Sequence, residues 1–394
     1  MSAPQTSRWR RSRRVLVRGA LLIGAVMAVV LAIDIGAFAA GLRRVGYGSE
    51  RFYSYSPALG LDHRPHARGA WYAYKDGTRT HVSINSHGFP DIDRTIAKNR
   101  PRIALLGDGT AAFWEVEREQ RAQHVMERML NGEVEVLNFA LRGAGTDQEF
   151  IRYTTQVVQF SPDIAVLLIC VNNFAINVMT GFKPYFVLDS SAPGGIRLEG
   201  VPVRAREAGR GFSARRLLEH SFTLRTLKYS LLGVETHFRD DGPLDEHFEL
   251  RPFKQAYDAE DDRRLELFER LLAAFASYSR EKRIRLLVVE GLYRPALDEA
   301  MRRRVVSAYG DRFDFDKVSK LLAQHGATAG YEFLSLPRLV RERALDVRRL
   351  MHAEDTTHLN AEGVRVFASA VIEKLRDLGW LENGAEWPPV AEGQ

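Results

Sequence analysis

The sequence is poor in cysteine, and its charge is unevenly distributed. Cys170 is the only cysteine among 394 residues, which excludes an intrachain disulfide and a thiolate cluster for zinc. The net charge of +6 resides in residues 1–18, which hold six arginines and no acid; without them 50 basic residues face 50 acidic ones. A neutral body has no electrostatic footprint for nucleic acid. We therefore expect no disulfide, metal ion, cofactor or nucleic-acid partner.

One long apolar run is present, close to the N-terminus. Residues 19–42 contain a single charge, Asp34. At a helical rise of about 1.5 Å per residue they cover about 36 Å, enough to span a bilayer. The arginines in residues 1–18 predict a cytoplasmic tail. The pattern thus predicts a single-pass anchor in the inner or cytoplasmic membrane, with the main domain in the periplasm or outside the cell.

A cleaved signal peptide is the alternative to a retained anchor. The apolar run before Asp34 has 15 residues, and Ala37-Phe38-Ala39 resembles a small-residue cleavage site. Residues 12–16 also resemble a twin-arginine export motif. The length of the whole run and its basic flank favour the anchor. Both alternatives place the body outside the cytoplasm.

The body alternates between short apolar runs and segments with helical periodicity. Such alternation predicts a parallel sheet covered by helices on both faces, a three-layer α/β/α fold of the flavodoxin-like kind. We predict strands at residues 102–107, 134–138, 164–170, 284–289 and 331–336, and helices at residues 111–130, 146–160, 261–281 and 361–378.

The remaining segments frame this main domain, which we place at residues 101–380. Residues 43–100 form a connector that packs on it, with one strand at residues 81–85, and residues 381–394 form a tail. An irregular insertion rich in Gly, Pro and Arg covers residues 175–252. Residues 213–232 within it suit an amphipathic helix that packs on its own domain, covers a site or touches the membrane surface.

Polar and glycine-rich segments follow the predicted strands. The carboxyl ends of parallel strands meet at one edge of a sheet, so these segments are candidates for a common site. Each alone is explained by a turn or a helix cap. The segments are Gly107-Asp108-Gly109-Thr110, residues 138–148 with Gly143, Val171-Asn172-Asn173, and residues 355–360.

The order of these segments resembles the SGNH/GDSL hydrolase superfamily. Its pattern has Gly-Asp-Ser after the first strand, glycine after the second, Asn-Asp after the third, and Asp-x-x-His before the last helix. Ile84-Asn85-Ser86-His87-Gly88-Phe89 and Lys183-Pro184-Tyr185-Phe186 are also similar to a membrane-anchored, extracytoplasmic branch. The resemblance implies an SGNH-hydrolase-like sheet. It also implies an O-acylated envelope glycan or lipid ester as ligand, and a membrane acyltransferase as partner.

The resemblance further implies roles for five residues. His358 would be the general base, oriented by the Asp355 carboxylate. The oxyanion hole would consist of the Asn172 side chain and the main-chain N–H groups of Gly143 and Gly109.

The sequence departs from the family pattern at its centre. Gly109 stands where the nucleophilic serine belongs, and glycine cannot form an acyl-enzyme. Thr110 has a hydroxyl, but one residue along, where the turn directs its side chain elsewhere. Other departures are Ala140 for glycine, Asn173 for aspartate, and Phe113 and Glu115 at positions often held by glycine.

Three functions fit these departures. The first is a degenerate hydrolase that binds an acylated ligand or scaffolds an envelope acylation complex. The second is an active ester hydrolase or O-acyl transferase working by single displacement. In it, His358 and Asp355 would activate a water or an acceptor hydroxyl in the gap left by Gly109. The third is a structural tether, in which the Asp355–His358 pair is a relic.

Overall fold

The structure is a computed structural model that describes residues 5–39, 52–72, 79–204, 223, 249–353 and 355–381. The chain divides into two units, residues 1–47 with 207–239, and residues 48–206 with 240–394. The amphipathic helix predicted at residues 213–232 lies outside the described residues, apart from Thr223. So do most of the tail at residues 381–394 and residues 43–51 of the connector.

The described part of the first unit is dominated by one helix, α1 (Gln5–Ala39). Its segment Val17–Gly36 is long and apolar enough to cross a membrane, and a signal sequence has the same properties. Asp34 is the one acidic residue in that segment. Its carboxylate accepts hydrogen bonds from the main-chain N–H (2.8 Å) and hydroxyl (2.7 Å) of Thr223, so the charge is partnered within the unit.

Two antiparallel hairpins open the second unit. The first pairs β1 (Tyr53–Ser56) with β2 (Gly60–His63), and the second pairs β3 (Arg68–Tyr72) with β4 (Arg79–Ser83). Sequence analysis predicted one strand here, since strands of four or five residues carry little periodicity. Phe52, Trp71 and Val82 are buried in the core of the main sheet.

A parallel sheet of five strands forms the centre of this unit. The strand order is β11-β10-β7-β5-β6, and β8 and β9 form a third hairpin in the segment predicted to be irregular. Counted along the chain, the order of the parallel strands is 2-1-3-4-5, as in flavodoxin-like sheets. The strands are β5 (Arg102–Gly107), β6 (Glu135–Asn138), β7 (Ile164–Ile169), β8 (Tyr185–Leu188), β9 (Ile196–Glu199), β10 (Arg285–Glu290) and β11 (Glu332–Ser335).

The helices of the second unit follow the strands, as predicted, with one break. The helix expected over residues 111–130 is interrupted because Phe113 has φ of 50°, after which Trp114 and Glu115 turn into the interior. The helices are α2 (Gly109–Ala112), α3 (Ala122–Met129), α4 (Thr146–Thr155), α5 (Asn173–Ile176), α6 (Ala259–Glu281), α7 (Arg294–Leu297), α8 (Glu299–Tyr309), α9 (Lys317–Ala329), α10 (Leu336–Glu342), α11 (Val347–Leu350) and α12 (Ala361–Asp377).

Side chains of the sheet alternate between two cores. Ile103, Val166 and Leu287 belong to a cluster that also contains residues of α3 and α12. Their chain neighbours, such as Leu167 and Val288, belong to a second cluster with residues of α4, α6 and α9. Helices therefore cover both faces, which confirms the predicted three-layer α/β/α fold.

Candidate functional site

The site begins where β5 and β7 end, at the point where the strand order reverses. Asp108 follows β5 and caps α2, because its Oδ1 accepts from the N–H (2.8 Å) and hydroxyl (2.7 Å) of Thr110. Its Oδ2 accepts from the side-chain amide of Asn172, after β7, at 3.0 Å. Asp108 thus joins the two strand ends. The Thr110 hydroxyl is committed to the cap, which argues against Thr110 as a nucleophile.

The turn before α12 holds a histidine–carboxylate pair. Nδ1 of His358 lies 2.9 Å from Oδ2 of Asp355. The other oxygen of Asp355 accepts from the main-chain N–H groups of Thr357 (2.8 Å) and His358 (3.0 Å). Burial alone would raise the pKa of Asp355, but the His358 ring and these N–H groups outweigh it and hold the pKa below its ordinary value. Asp355 therefore remains an anion that fixes the ring.

A second carboxylate faces the other side of the ring. Oε1 of Glu115, a side chain that is only 4% exposed, lies 3.8 Å from Nε2 of His358. Burial would lower the pKa of His358, but the carboxylates of Glu115 and Asp355 outweigh it and raise the pKa to about 9. The ring is therefore an imidazolium at neutral pH, and an imidazolium cannot accept a proton from a nucleophile.

Arg142 occupies the space beside Gly109. A Cβ atom added to Gly109 would lie 3.0 Å from Cγ and 3.2 Å from Nη1 of Arg142. The same guanidinium pairs with Glu115, with Nη1 2.8 Å from Oε1. The hydroxymethyl-sized gap expected at Gly109 is therefore filled by a side chain from the loop after β6.

Aromatic rings hold Arg142 in this position. Its guanidinium carbon lies 4.4 Å from the ring centroid of Trp71 and 5.7 Å from that of Trp114. The Tyr53 hydroxyl donates to the main-chain carbonyl of Arg142 at 3.4 Å. Cation–π contacts of this kind strengthen when the partners are buried, as both tryptophans are. The connector strands thus supply part of the site.

Sequence reasoning missed the Glu115–Arg142 pair. Glu115 was noted only as a departure from glycine, and Arg142 only as a member of the segment that contains Gly143. The available signal was their opposite charge in two segments that the fold brings together. An acid and a base at such positions predict a buried ion pair.

The residues predicted to form an oxyanion hole are placed as follows. Gly143 has φ of 82°, and a Cβ atom there would meet nothing within 4 Å, so its main chain borders open space. Gly109 is the first residue of α2. The amide nitrogen of Asn172 bonds Asp108, while its carbonyl oxygen is buried and lacks a hydrogen-bond partner among the described residues. The structure connects His358 to Gly109 through Glu115 and Arg142.

Buried polar groups support the loop after β7. Asn173 accepts from the N–H of Cys170 (2.9 Å) and donates to Glu149 (3.3 Å). Burial raises the pKa of Glu149 well above its ordinary value, and the charge of Asp108 adds to the shift, so the site favours the protonated form of this carboxyl. Within the described ranges, no group of three or more His, Cys, Asp or Glu residues is placed to hold a metal ion.

The two segments that resembled the anchored branch have structural roles near these groups. Lys183 forms a buried ion pair with Asp147 in the first turn of α4. Burial raises the pKa of Asp147 to about 6 even though Lys183 opposes the shift. The side-chain oxygen of Asn85 accepts from the N–H groups of His87 (3.0 Å) and Phe89 (2.9 Å), which shapes the turn before β5.

Comparisons with known proteins give a fold likeness at low identity. No protein-family model and no curated protein matches the sequence. Similar solved structures include a lipase/acylhydrolase from Enterococcus faecalis (11% identity, 71% of this chain and 96% of that chain, TM-score 0.38). A GDSL-like lipase from Parabacteroides merdae (14%, 71% and 98%, 0.38) and the acetyl xylan esterase AlAXEase (13%, 70% and 99%, 0.38) are others. None of these likenesses bears on the activity of this chain.

Proposed function

We propose that this chain is a degenerate SGNH-type hydrolase of the cell envelope. In this proposal α1 anchors it in the cytoplasmic membrane with the second unit outside the cytoplasm. There it binds an O-acylated glycan or lipid ester, alone or as the scaffold of an acylation complex with a membrane acyltransferase. The observation that supports a binding role over a catalytic one is the position of Arg142 beside Gly109.

A nucleophile has no place at this position. Arg142 approaches the missing Cβ of Gly109 to 3.0 Å, closer than most real Cβ contacts. A hydroxyl or a water in the same place would have to displace a guanidinium that is paired with Glu115 and stacked on Trp71. A single displacement needs that space, so the geometry favours it less than binding.

The resting state of His358 also supports binding over catalysis. The carboxylates of Glu115 and Asp355 raise its pKa to about 9, which favours the imidazolium over the neutral ring that a general base requires. Its Nε2 faces Glu115 rather than a hydroxyl. Two cations, His358 and Arg142, are each paired with a carboxylate of Glu115 or Asp355.

The test uses the full-length chain in membranes and a small acetyl ester. We expect no ester hydrolysis above that of a His358→Ala variant, because neither nucleophile nor base is available. Histidine-dependent turnover would overturn the proposal in favour of single displacement.

Binding is tested separately by thermal unfolding. An O-acetylated methyl glycoside should raise the midpoint, because a ligand of the folded state stabilises it. The same glycoside without acetyl groups is the matched control. Equal effects of the two compounds would argue against an ester-binding site and leave a scaffold or a tether.

A further inference from the structure

Four large apolar side chains form an exposed surface next to the site. They come from the first hairpin, the segment before β8 and the segment after β9. Within the described residues, each has about half of its surface exposed: Tyr55 48%, Leu61 46%, Phe182 52% and Val201 48%. Solvent-exposed apolar groups of this size, when contiguous, mark interaction surfaces.

Main-chain contacts hold the segments of this patch together. Tyr55 and Leu61 lie directly opposite each other in the β1–β2 pair. Gly60, which precedes Leu61, packs so closely on the carbonyl of Phe182 that only glycine fits there. The Tyr55 hydroxyl donates to the carbonyl of Val203 at 2.6 Å, two residues beyond Val201. These contacts bring the three segments that carry the patch together at the first hairpin.

The patch continues the face of the hairpin that reaches the site. Tyr53 and His63 are the next pair on the same face, about 7 Å along the strands. Tyr53 bonds the main chain of Arg142, and the His63 ring lies 5.3 Å from that of Trp114. One side of a short hairpin thus carries buried site residues at one end and exposed apolar residues at the other.

We propose that Tyr55, Leu61, Phe182 and Val201 form a membrane-docking face that sets the body on the lipid bilayer. The proposal rests on the anchoring role proposed for α1. Only residues 37–52 separate Gly36, the end of its apolar segment, from Tyr53. Because the linking segment is short, contact between the body and the bilayer becomes an intramolecular event. A small apolar patch is then enough to stabilise that contact.

The chemistry of the patch suits the boundary between lipid headgroups and acyl chains. Tyrosine and phenylalanine beside leucine and valine are typical of side chains that enter this boundary. The charge of Arg197 is paired with two carboxylates, Asp189 and Glu199, so this group offers no excess positive charge to an anionic protein partner. Docking through this face places the site beside the membrane surface, where a lipid-linked ester would be presented to it.

The test measures the depth of nitroxide labels on the full-length chain. The chain is inserted in nanodiscs of phosphatidylethanolamine and phosphatidylglycerol, and labels are attached at Leu61→Cys and Phe182→Cys. Ile96→Cys is the matched control: Ile96 is apolar and 48% exposed. Its main-chain carbonyl accepts a hydrogen bond from the Arg102 side chain at the start of β5. The start of this strand lies at the end of the sheet opposite to the candidate site, which follows the end of β5. Cys170 is buried and burial raises the pKa of its thiol, so it should stay unlabelled, as the unsubstituted chain will verify.

We expect labels at positions 61 and 182 to gain accessibility to oxygen and lose accessibility to a water-soluble nickel chelate, relative to position 96. Labels that behave like the control would overturn the docking face. Labels shielded from both reagents would overturn it too, in favour of contact with a second copy of the chain. Failure of the anchor is recognised separately, because the unsubstituted chain would then be released from vesicles by alkaline washing.

Discussion

The two halves of the candidate site, the turn before α12 (the dyad half) and the residues around α2 (the nucleophile half), differ in how closely they match the pattern predicted from sequence. The half before α12 has a histidine oriented by a carboxylate at 2.9 Å. The half around α2 has a glycine at the place of the nucleophile, with the Arg142–Glu115 pair beside it. The dyad is built within four residues of one turn, whereas the nucleophile half requires the segments after β5 and β6 to meet. The contrast shows that an arrangement within one turn follows the prediction from sequence more closely than one that depends on separate segments.

The largest effect is expected from placing a serine at position 109 together with the space that its side chain needs. In Gly109→Ser/Glu115→Gly/Arg142→Ala, a hydroxyl gains the space of Arg142, and both members of the ion pair leave together. We expect ester hydrolysis to rise by roughly 10²–10³-fold over the parent chain, less than the roughly 10⁶-fold contribution of an intact nucleophile. Release of product from an acetyl ester measures it.

Two controls make this result interpretable. Gly109→Ser alone should stay inactive, because its Cβ meets Arg142. Adding His358→Ala to the triple variant should abolish the gain. A folded but silent triple variant would show that the oxyanion groups or the dyad have also lost their geometry.

Removing only the arginine of the Arg142–Glu115 pair should have the next largest effect. Arg142→Ala leaves the Glu115 carboxylate buried without its ion-pair partner at 2.8 Å. We expect the free energy of unfolding to fall by about 3–5 kcal/mol, the usual cost of orphaning a buried charge. Urea denaturation measures it. Arg142→Ala/Glu115→Gln should cost less than Arg142→Ala alone; an equal cost would mean that packing on Trp71, not charge, holds Arg142.

Titration of His358 should make the free energy of unfolding depend on pH. The pKa of His358 is about 9 in the folded chain and 6.5 in the unfolded chain, so folding favours the protonated ring. That contribution is complete below pH 6.5 and is lost as the pH rises through 9; it amounts to at most about 3 kcal/mol. Urea midpoints between pH 6 and 10 measure it against His358→Gln, which should lack the dependence. Glu115→Gln should lower the pKa of His358, as followed by NMR.

The smallest effect is expected from a change at Glu149, which supports the loop after β7 through Asn173. Burial raises the pKa of Glu149 well above its ordinary value and so favours the neutral acid, which glutamine resembles in shape and charge. Glu149→Gln should therefore change the free energy of unfolding by less than about 1 kcal/mol. Asp147→Asn is the contrasting variant, because it leaves the buried Lys183 ammonium without its partner and should cost more. Comparable losses in the two variants would mean that Glu149 is ionised in the folded chain.

The sequence by itself determined the fold class and the strand ends. Strands such as β5 and β7 are short apolar runs, and period and length suffice to recognise them when both faces of a sheet are buried. The placement of Asp355 three residues before His358 also follows from the chain alone, because one turn connects them. The roles assigned to Gly143 and Asn172 remain predictions from the family resemblance.

Only the tertiary structure decided which side chains lie beside Gly109. Glu115, Arg142 and Trp71 belong to separate segments, and no periodicity relates them. Their meeting depends on the break after Phe113 and on the hairpins of the connector, both of which sequence analysis missed. Side-chain charges at a distance along the chain become partners only when burial removes water from between them. For that reason the sequence showed Gly109 at the position where a nucleophile was expected, but it did not show the arginine beside it.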